Sequence, residues 1–218
     1  MRTKTLLLTA ALSAAGVATS MAQVFSVNAV GYVNKTIPPG NKLALISNPL
    51  DAGAGNNTIA NLFKGAPDGT QVFKYTGTSF IAATFDSLEN AFLPAEAAAT
   101  TVEPGEGVFV RNTSATDLTI TFVGEVKQGT LNNTYPKGFS IRSSIVPQAG
   151  TAAELGFVGA DGDQINQFDP ATQGYKVSTF DGLENAWLPA LTPLAVGEAF
   201  FLRAANGGTW TRTFSVNQ

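Results

Sequence analysis

Two stretches of this chain set an aromatic ring among groups that can hydrogen-bond. TFDSLENAFLPA, from Thr84 to Ala95, and TFDGLENAWLPA, from Thr179 to Ala190, are identical at ten of twelve positions. In the first, Phe92 keeps company with Asp86, Glu89 and Asn90; in the second, Trp187 stands near Asp181, Glu184 and Asn185. Rings flanked by carboxylates and amides suit a sugar, whose C–H face stacks on the ring while its hydroxyls meet the polar groups. Tyr75 and Tyr175 are further rings that would line such a groove. The same residues also spell a local structural device. Asp-x-x-Glu is capping-box spacing, in which the aspartate accepts the first free N–H groups of a short turn and the glutamate reaches back. On that reading Leu88 and Leu183 pack downward with Phe92 and Trp187, and Pro94 and Pro189 stop the turn. A buried ring is the commoner fate, so a structural clasp is the expected role.

Other acids offer less. Asp161-Gly162-Asp163, with Asn166 and Asp169 nearby, gathers oxygens of the kind calcium takes, but the spacing is not that of an EF-hand. The related stretch DGTQVFKY (Asp68 to Tyr75) keeps only the first of the three acids, so an Asp-Gly turn entering a strand is expected. Glu106 with Arg111 and Glu198 with Arg203 recur as candidate ion pairs at a strand edge, where exposed pairs contribute about 0–1 kcal/mol. A glycosidase needs two facing carboxylates roughly 5–10 Å apart, and the sequence singles out no pair. The chain has no histidine and no cysteine. That excludes Ser-His-Asp and Cys-His catalysis, histidine-ligated metals, thiolate metal sites and haem attachment. Neither a Ser-x-x-Lys motif nor a phosphate loop nor a dinucleotide fingerprint is present, and no cofactor is implied.

The elements that must position these residues come from one unit used twice. GYVNKTIPPG (Gly31 to Gly40) aligns with GTLNNTYPKG (Gly129 to Gly138), DGTQVFKY with DGDQINQF (Asp161 to Phe168), GEGVFVR (Gly105 to Arg111) with GEAFFLR (Gly197 to Arg203), and LTITF (Leu118 to Phe122) with WTRTF (Trp210 to Phe214). The expected division is a leader over 1–22, one β unit over 23–127 and a second over 128–218. Leu118, Ile120 and Phe122 alternate with threonines, the period of a strand covered on one face. Val108–Val110 and Phe200–Leu202 are apolar on both faces and should lie centrally. Asn206-Gly207 predicts a tight hairpin. With 22 glycines and 11 prolines, long helices are not expected; Asn57–Phe63 and Thr151–Phe157 alone look briefly helical. The fold class is therefore all-β, two tandem related sandwich-like or barrel-like units. Phe25-Ser26-Val27-Asn28 matches Phe214-Ser215-Val216-Asn217, so the chain ends should occupy equivalent or neighbouring edges, and the segment around Phe122 to Leu131 should be a shared strand or crossover.

Residues 1–22 read as a secretory signal: basic Arg2 and Lys4, an apolar run from Leu6 to Val17, and Ser20-Met21-Ala22 as a small-x-small cleavage site. The run is too short to span a bilayer, so no membrane insertion is expected after cleavage. Losing the leader moves the formal charge from −3 to −5, and no basic cluster stands out, which argues against nucleic acid as partner. Only 13% of residues are charged against 44% hydrophobic, the balance of a folded protein with a Thr- and Asn-rich surface.

The wording SVNAVGYVN, PPG…LISNPLD, PGEGVFVRN, TITFVGEVKQGTL, GFSIRSSIVPQAG, VGEAFFLR and WTRTFSVN resembles a family of secreted two-repeat β proteins of Verrucomicrobia-type bacteria, from about Ser26 to the C-terminus. Each half is also distantly similar to "GWNLISLP…PGxGYWV" modules of bacterial surface proteins, through Leu45–Pro49 and Pro104–Val110, with the second half departing from that pattern at SSIVPQ. The resemblance implies location and architecture and transfers no mechanism. The leading expectation is a secreted, periplasmic or cell-surface protein without enzymatic activity, structural in role and able to assemble with itself through strand edges. A polysaccharide-binding protein is the alternative, and a carboxylate-based hydrolase the second.

Overall fold

The computed structural model describes residues 29–216. The leader, and the Phe25–Asn28 and Asn217 parts of the terminal match, lie outside the described residues. The first half runs β1 (Val30–Ile37), β2 (Lys42–Ile46), α1 (Ile59–Leu62), β3 (Gln71–Tyr75), β4 (Phe80–Asp86), β5 (Ala91–Leu93), α2 (Ala95–Ala98), β6 (Val108–Asn112) and β7 (Leu118–Glu125). The second runs β8 (Gly129–Tyr135), β9 (Gly138–Ser143), β10 (Gln164–Asp169), β11 (Gly174–Asp181), β12 (Ala186–Leu188), β13 (Ala199–Ala204) and β14 (Gly208–Phe214). Each half builds an antiparallel five-stranded sheet, ordered β2-β6-β3-β4-β5 and β9-β13-β10-β11-β12, and a two-stranded ribbon, β1-β7 and β8-β14. The chain is all-β and its two halves share one layout. No described helix is long and apolar enough to cross a membrane.

Period-2 alternation decides which way each strand faces. Along β6, Val108 and Val110 enter a first core with Val33, Ile37, Leu118, Ile120 and Phe122 of the ribbon, and with Ile59, Leu62 and Phe63 of the α1 region. Along β13, Phe200 and Leu202 enter a second core with Leu155, Phe157, Ile165 and Trp210. The opposite faces of both sheets meet in a third core, where Leu45 and Phe109 pack with Ile141 and Ala199, flanked by Phe73, Tyr75, Phe168 and Phe201. The layers are thus ribbon, sheet, sheet, ribbon, and the two apolar-faced strands are interior because each serves two cores.

The ribbons also explain where the alignment slips. On the outer face of β1-β7, Thr36 meets Thr119 and Asn34 meets Thr121; on β8-β14, Thr134 meets Thr209 and Asn132 meets Thr211. These matching rungs make Leu118 equivalent to Gly208, two positions from its sequence match with Trp210. Likewise Lys42 pairs with Asn112 as Gly138 pairs with Ala204, so Gly138 takes the place of Lys42 and not of Gly40. The cause is two shortened loops: Pro136-Lys137 replaces the four residues 38–41, and 205–207 replaces 113–117. Asn206-Gly207 forms no hairpin either. β13 pairs with β9 and β10, while β14 pairs with β8, so these residues carry the chain from sheet to ribbon. Thr151–Phe157 closes a single turn through a capping box, Glu154 N–H to the Thr151 hydroxyl and Thr151 N–H to the Glu154 carboxylate, and Gly156 at φ 79° ends it there.

Between β7 and β8 the chain crosses in three residues, and both described ends return to that link. Val126 N–H donates to the Ala29 carbonyl at 2.7 Å, and Val216 N–H donates to the Gln128 side chain at 3.1 Å. The inner sheet edges are closed as well. The Gln173 side-chain amide, on a residue at φ 58°, accepts from Leu43 N–H and donates to Leu43 C=O, both at 2.9 Å, as a neighbouring strand would.

The two units also exchange their Gly-Glu turns. Ser47 N–H donates to Gly197 C=O at 3.0 Å, and in the reciprocal place Ser143 N–H donates to Gly105 C=O at 2.9 Å. From each ribbon a polar side chain reaches the turn of the other unit: Lys35 Nζ bonds Val196 C=O at 3.1 Å, and buried Asn133 bonds Gly105 C=O at 2.8 Å. Gly105 has φ 99°, and a Cβ there would lie 2.6 Å from Asn133 Nδ2 and 2.9 Å from Ile145 Cγ1. At Gly107 a Cβ would lie 2.6 Å from Ile141 Cγ2 and overlap the Ala199 methyl. Gly105→Ala should therefore lower stability by about 2–4 kcal/mol, from left-handed backbone strain plus overpacking. Gly40→Ala, at φ 81° with open space around it, should cost only about 1 kcal/mol; urea unfolding of the two variants checks the difference.

Candidate functional site

The twin stretches prove to be hairpin corners. Asp86 pairs with Ala91 and Asp181 with Ala186, so residues 87–90 and 182–185 are four-residue loops. The Asp86 carboxylate accepts from Leu88 N–H at 2.8 Å and Glu89 N–H at 3.2 Å, and Asp181 does the same for Leu183 and Glu184 at 2.8 and 3.1 Å. Asn90 and Asn185 then take φ 51° and 49° to turn the chain back into a strand. Half of the capping box is present, the aspartate half. Leu88 and Leu183 do not pack downward: they stand at the loop tips, 94% and 98% exposed. The peptides before Pro94 and Pro189 are cis.

The rings of the motif are turned inward, Phe92 fully and Trp187 in part. Phe92 is buried, edge-on to Phe85 at 5.3 Å and to Phe63 at 6.5 Å. Trp187 is half-buried, stacked on Phe157 and edge-on to Phe180 at 5.2 Å. The Asp-Gly turns hold these hairpins in place. Asp68 accepts the Ser87 N–H at 2.8 Å and Asp161 accepts the Gly182 N–H at 2.9 Å. The calcium candidates consequently spend their oxygens on the backbone. Buried Asp163 takes the N–H groups of Ala160 and Ala205, while Asp169, at the far end of β10, takes the Ala171 N–H and the Thr172 hydroxyl. No group of three or more acids among the described residues is placed to hold a metal ion.

The expected pairs within the Gly-Glu strands do not form. Arg111 donates to Gln71 at 3.1 Å and lies over the Phe73 ring, and Arg203 is exposed. Glu198 accepts the Ala195 N–H at 2.9 Å and Glu106 accepts the Glu103 N–H at 2.9 Å, which closes each turn on itself. Glu106 bonds Lys74 of its own unit at 2.6 Å and stands 3.9 Å from Arg142 of the other.

Tyr75 and Tyr175 are brought together. Tyr75 lies directly across from Phe80, and Phe168 directly across from Tyr175, with ring centroids 5.1 and 5.2 Å apart. The two hairpins thus carry the same aromatic cross-strand pair, and Phe201 joins them, its ring 5.3 Å from Tyr75 and 6.1 Å from Tyr175. Tyr75, Phe139, Asn166, Tyr175, Val177 and Phe201 line an open groove of about 360 Å³ between the units. Phe80, Phe139 and Tyr175 remain 45–49% exposed. The Tyr75 hydroxyl is fixed on Gly77 C=O at 2.6 Å, and partial burial pushes the Tyr175 hydroxyl pKa up.

Tyr75 and Phe139 continue into a second hollow of about 280 Å³ walled by Lys74, Glu106 and Arg142. Burial lowers the Arg142 pKa, against the opposing pull of Glu106. By the pseudo-twofold relation the opposite hollow, about 410 Å³, holds Gln167, Glu198 and Ile46, with Lys35 from the ribbon. There the Lys35 ammonium is pushed below its ordinary pKa by burial, which Glu198 partly offsets.

No protein-family model, curated protein or solved structure matches this chain. The sequence pointed to Tyr75 and Tyr175 as groove rings and to Asn166 only as a calcium neighbour; it did not point to Phe139, Val177 and Phe201 of the groove or to Arg142 of the hollow. The signal for Phe201 was present: a strand apolar on both faces implies a second partner surface. Arg142 and Phe139 lie where the two repeats align two residues out of step.

The clasp should make the protein acid-sensitive. The Ser87 N–H and hydroxyl hold the Asp68 carboxyl below the ordinary aspartate value, and Thr151 and Ala171 with Thr172 do the same for Glu154 and Asp169. A carboxyl with a depressed folded-state pKa stabilises the fold above its unfolded value, about 4, and loses that stabilisation as pH falls through the folded value. Melting temperature should hold from pH 7 to about 5 and drop below pH 4. Asp68→Asn should lower the neutral-pH melt and flatten the acid limb.

Proposed function

We propose that this is a secreted, non-enzymatic glycan-binding protein of the bacterial periplasm or cell surface, which holds an extended sugar chain in the groove between its units. One observation carries the reading: two separate hairpins present the same aromatic pair, and the fold brings one ring of each, Tyr75 and Tyr175, to one open groove beside Phe201. Half-exposed rings on rigid strands give stacking surface at little entropic cost, and Asn166 with the neighbouring charged hollow supplies polar contacts. Among the described residues Glu106 is the one carboxylate lining the aromatic groove and its charged continuation, and it is engaged by Lys74 and a backbone N–H. Hydrolysis by a carboxylate pair finds no second member there. The secretory leader and the resemblance to secreted β proteins support the location.

Glycan-array screening of the full chain, followed by titration with the best oligosaccharide, tests this. Tyr75→Ala and Tyr175→Ala should each weaken binding about tenfold, with melting temperature changed little for the half-exposed Tyr175. Absence of any glycan binding, or wild-type affinity retained in both variants, would refute the reading.

A structural role through self-assembly is the second reading, favoured by Leu88 and Leu183. Both hairpin tips retain an almost fully exposed leucine that the fold does not use, and Tyr32 pairs across the outer ribbon face with Val123, 74% and 57% exposed. If these surfaces mediate assembly, sedimentation over a concentration series should show oligomers that the Leu88→Ser, Leu183→Ser double variant loses.

A further inference from the structure

The charged hollow contains a cation that the fold leaves unsatisfied. Arg142 lies on β9, its side chain 14% exposed. Its Nε is buried without a partner, and the nearest acid, Glu106, is 3.9 Å away. Glu106 is already committed, at 2.6 Å to Lys74 and at 2.9 Å to the Glu103 N–H. Two cations therefore share one carboxylate in a partly desolvated hollow, a net local charge of +1. A guanidinium without hydrogen bonds there is costly in the empty state and well placed to grip a planar anion, since its fork matches a carboxylate in two parallel bonds.

The hollow is not isolated. Tyr75 and Phe139 line both it and the aromatic groove, so one ligand can lie on the rings and reach Arg142. The pseudosymmetric hollow provides an internal comparison. There Ile46 occupies the place of Arg142 and Gln167 that of Lys74, and Gln167 is itself bonded to Thr192 and Glu198. Net positive charge has been concentrated at one end of an otherwise duplicated groove, since the opposite hollow sets Lys35 and Lys176 against Glu198 and Asp169. On the glycan reading above, we infer that the preferred ligand is an acidic polysaccharide built from uronic acids, with a ring face on the aromatic floor and a carboxylate on Arg142 and Lys74.

The full chain is titrated with oligogalacturonate and with the same oligosaccharide as its methyl ester, which keeps the rings and removes the charge. The expected result is at least tenfold tighter binding of the acid, weakened by added salt. Arg142→Gln should erase that preference by weakening the acid far more than the ester, and Arg142→Lys should restore part of it; Lys74→Met serves as an independent second variant. Melting curves establish that each variant is folded. Equal affinity for acid and ester, or a preference that survives both Arg142→Gln and Lys74→Met, overturns the inference. If Tyr175→Ala still weakens binding of the ester in that case, the glycan reading stands and only the acidic preference falls. If neither oligosaccharide binds and no other glycan does, both fall.

Discussion

The Gly105 and Gly197 carbonyls accept amides from the opposite unit, and the remaining architecture depends on that reciprocal bond. Each donor, Ser47 or Ser143, sits at the open edge of a five-stranded sheet, so the exchange closes an edge and fixes the sheet-to-sheet distance together. The approach is close enough that Gly107 has no room for a side chain against Ala199 and Ile141. Once the turns are seated, Leu45, Phe109, Ile141 and Ala199 are dry, and the aromatic hairpins at the rim come to lie beside one another. The groove is a product of the interface; neither unit contains it alone.

Such pairing, in which residue i of one copy meets residue j of the other and the converse also holds, is the pattern of an isologous dimer interface. Here both copies lie on one chain, which frees them to differ. Ile46 meets Glu198 where Arg142 meets Glu106, and Gln167 stands where Lys74 does. A symmetric dimer would carry two like hollows. The single chain carries one hollow whose charges balance, Lys35 and Lys176 with Glu198 and Asp169, and one with excess positive charge.

Much of this was legible in the residues. Strand class, the duplicated unit and the interior position of Val108–Val110 and Phe200–Leu202 follow from alternation and from strands apolar on both faces. The loop lengths that set register were less visible, because Gly40 and Gly138 match by type while the shorter Pro136-Lys137 link moves Gly138 to the place of Lys42. The twin stretches misled for a physical reason. An aspartate that caps two N–H groups is equally at home at a helix start and in a four-residue hairpin loop, and only the φ of Asn90 and Asn185 separates the outcomes. With the chain reversing there, Leu88 is carried to the tip and away from the core. Ion pairs guessed within a strand failed because Glu106 and Glu198 are taken up by the turn amides of Glu103 and Ala195 and by Lys74 and Gln167 on the adjacent strand.

The three-residue link after β7 has a wider consequence. Ala29 and Val216, the first and last described residues, are both hydrogen-bonded to it, so the beginning, middle and end of the described residues converge on one spot. The backbone is nearly a closed ring. In such a ring the order of the two units is a matter of where the chain is cut: opening the link and joining the ends would give a circular permutant with the units transposed, the exchanged turns intact and the groove unchanged.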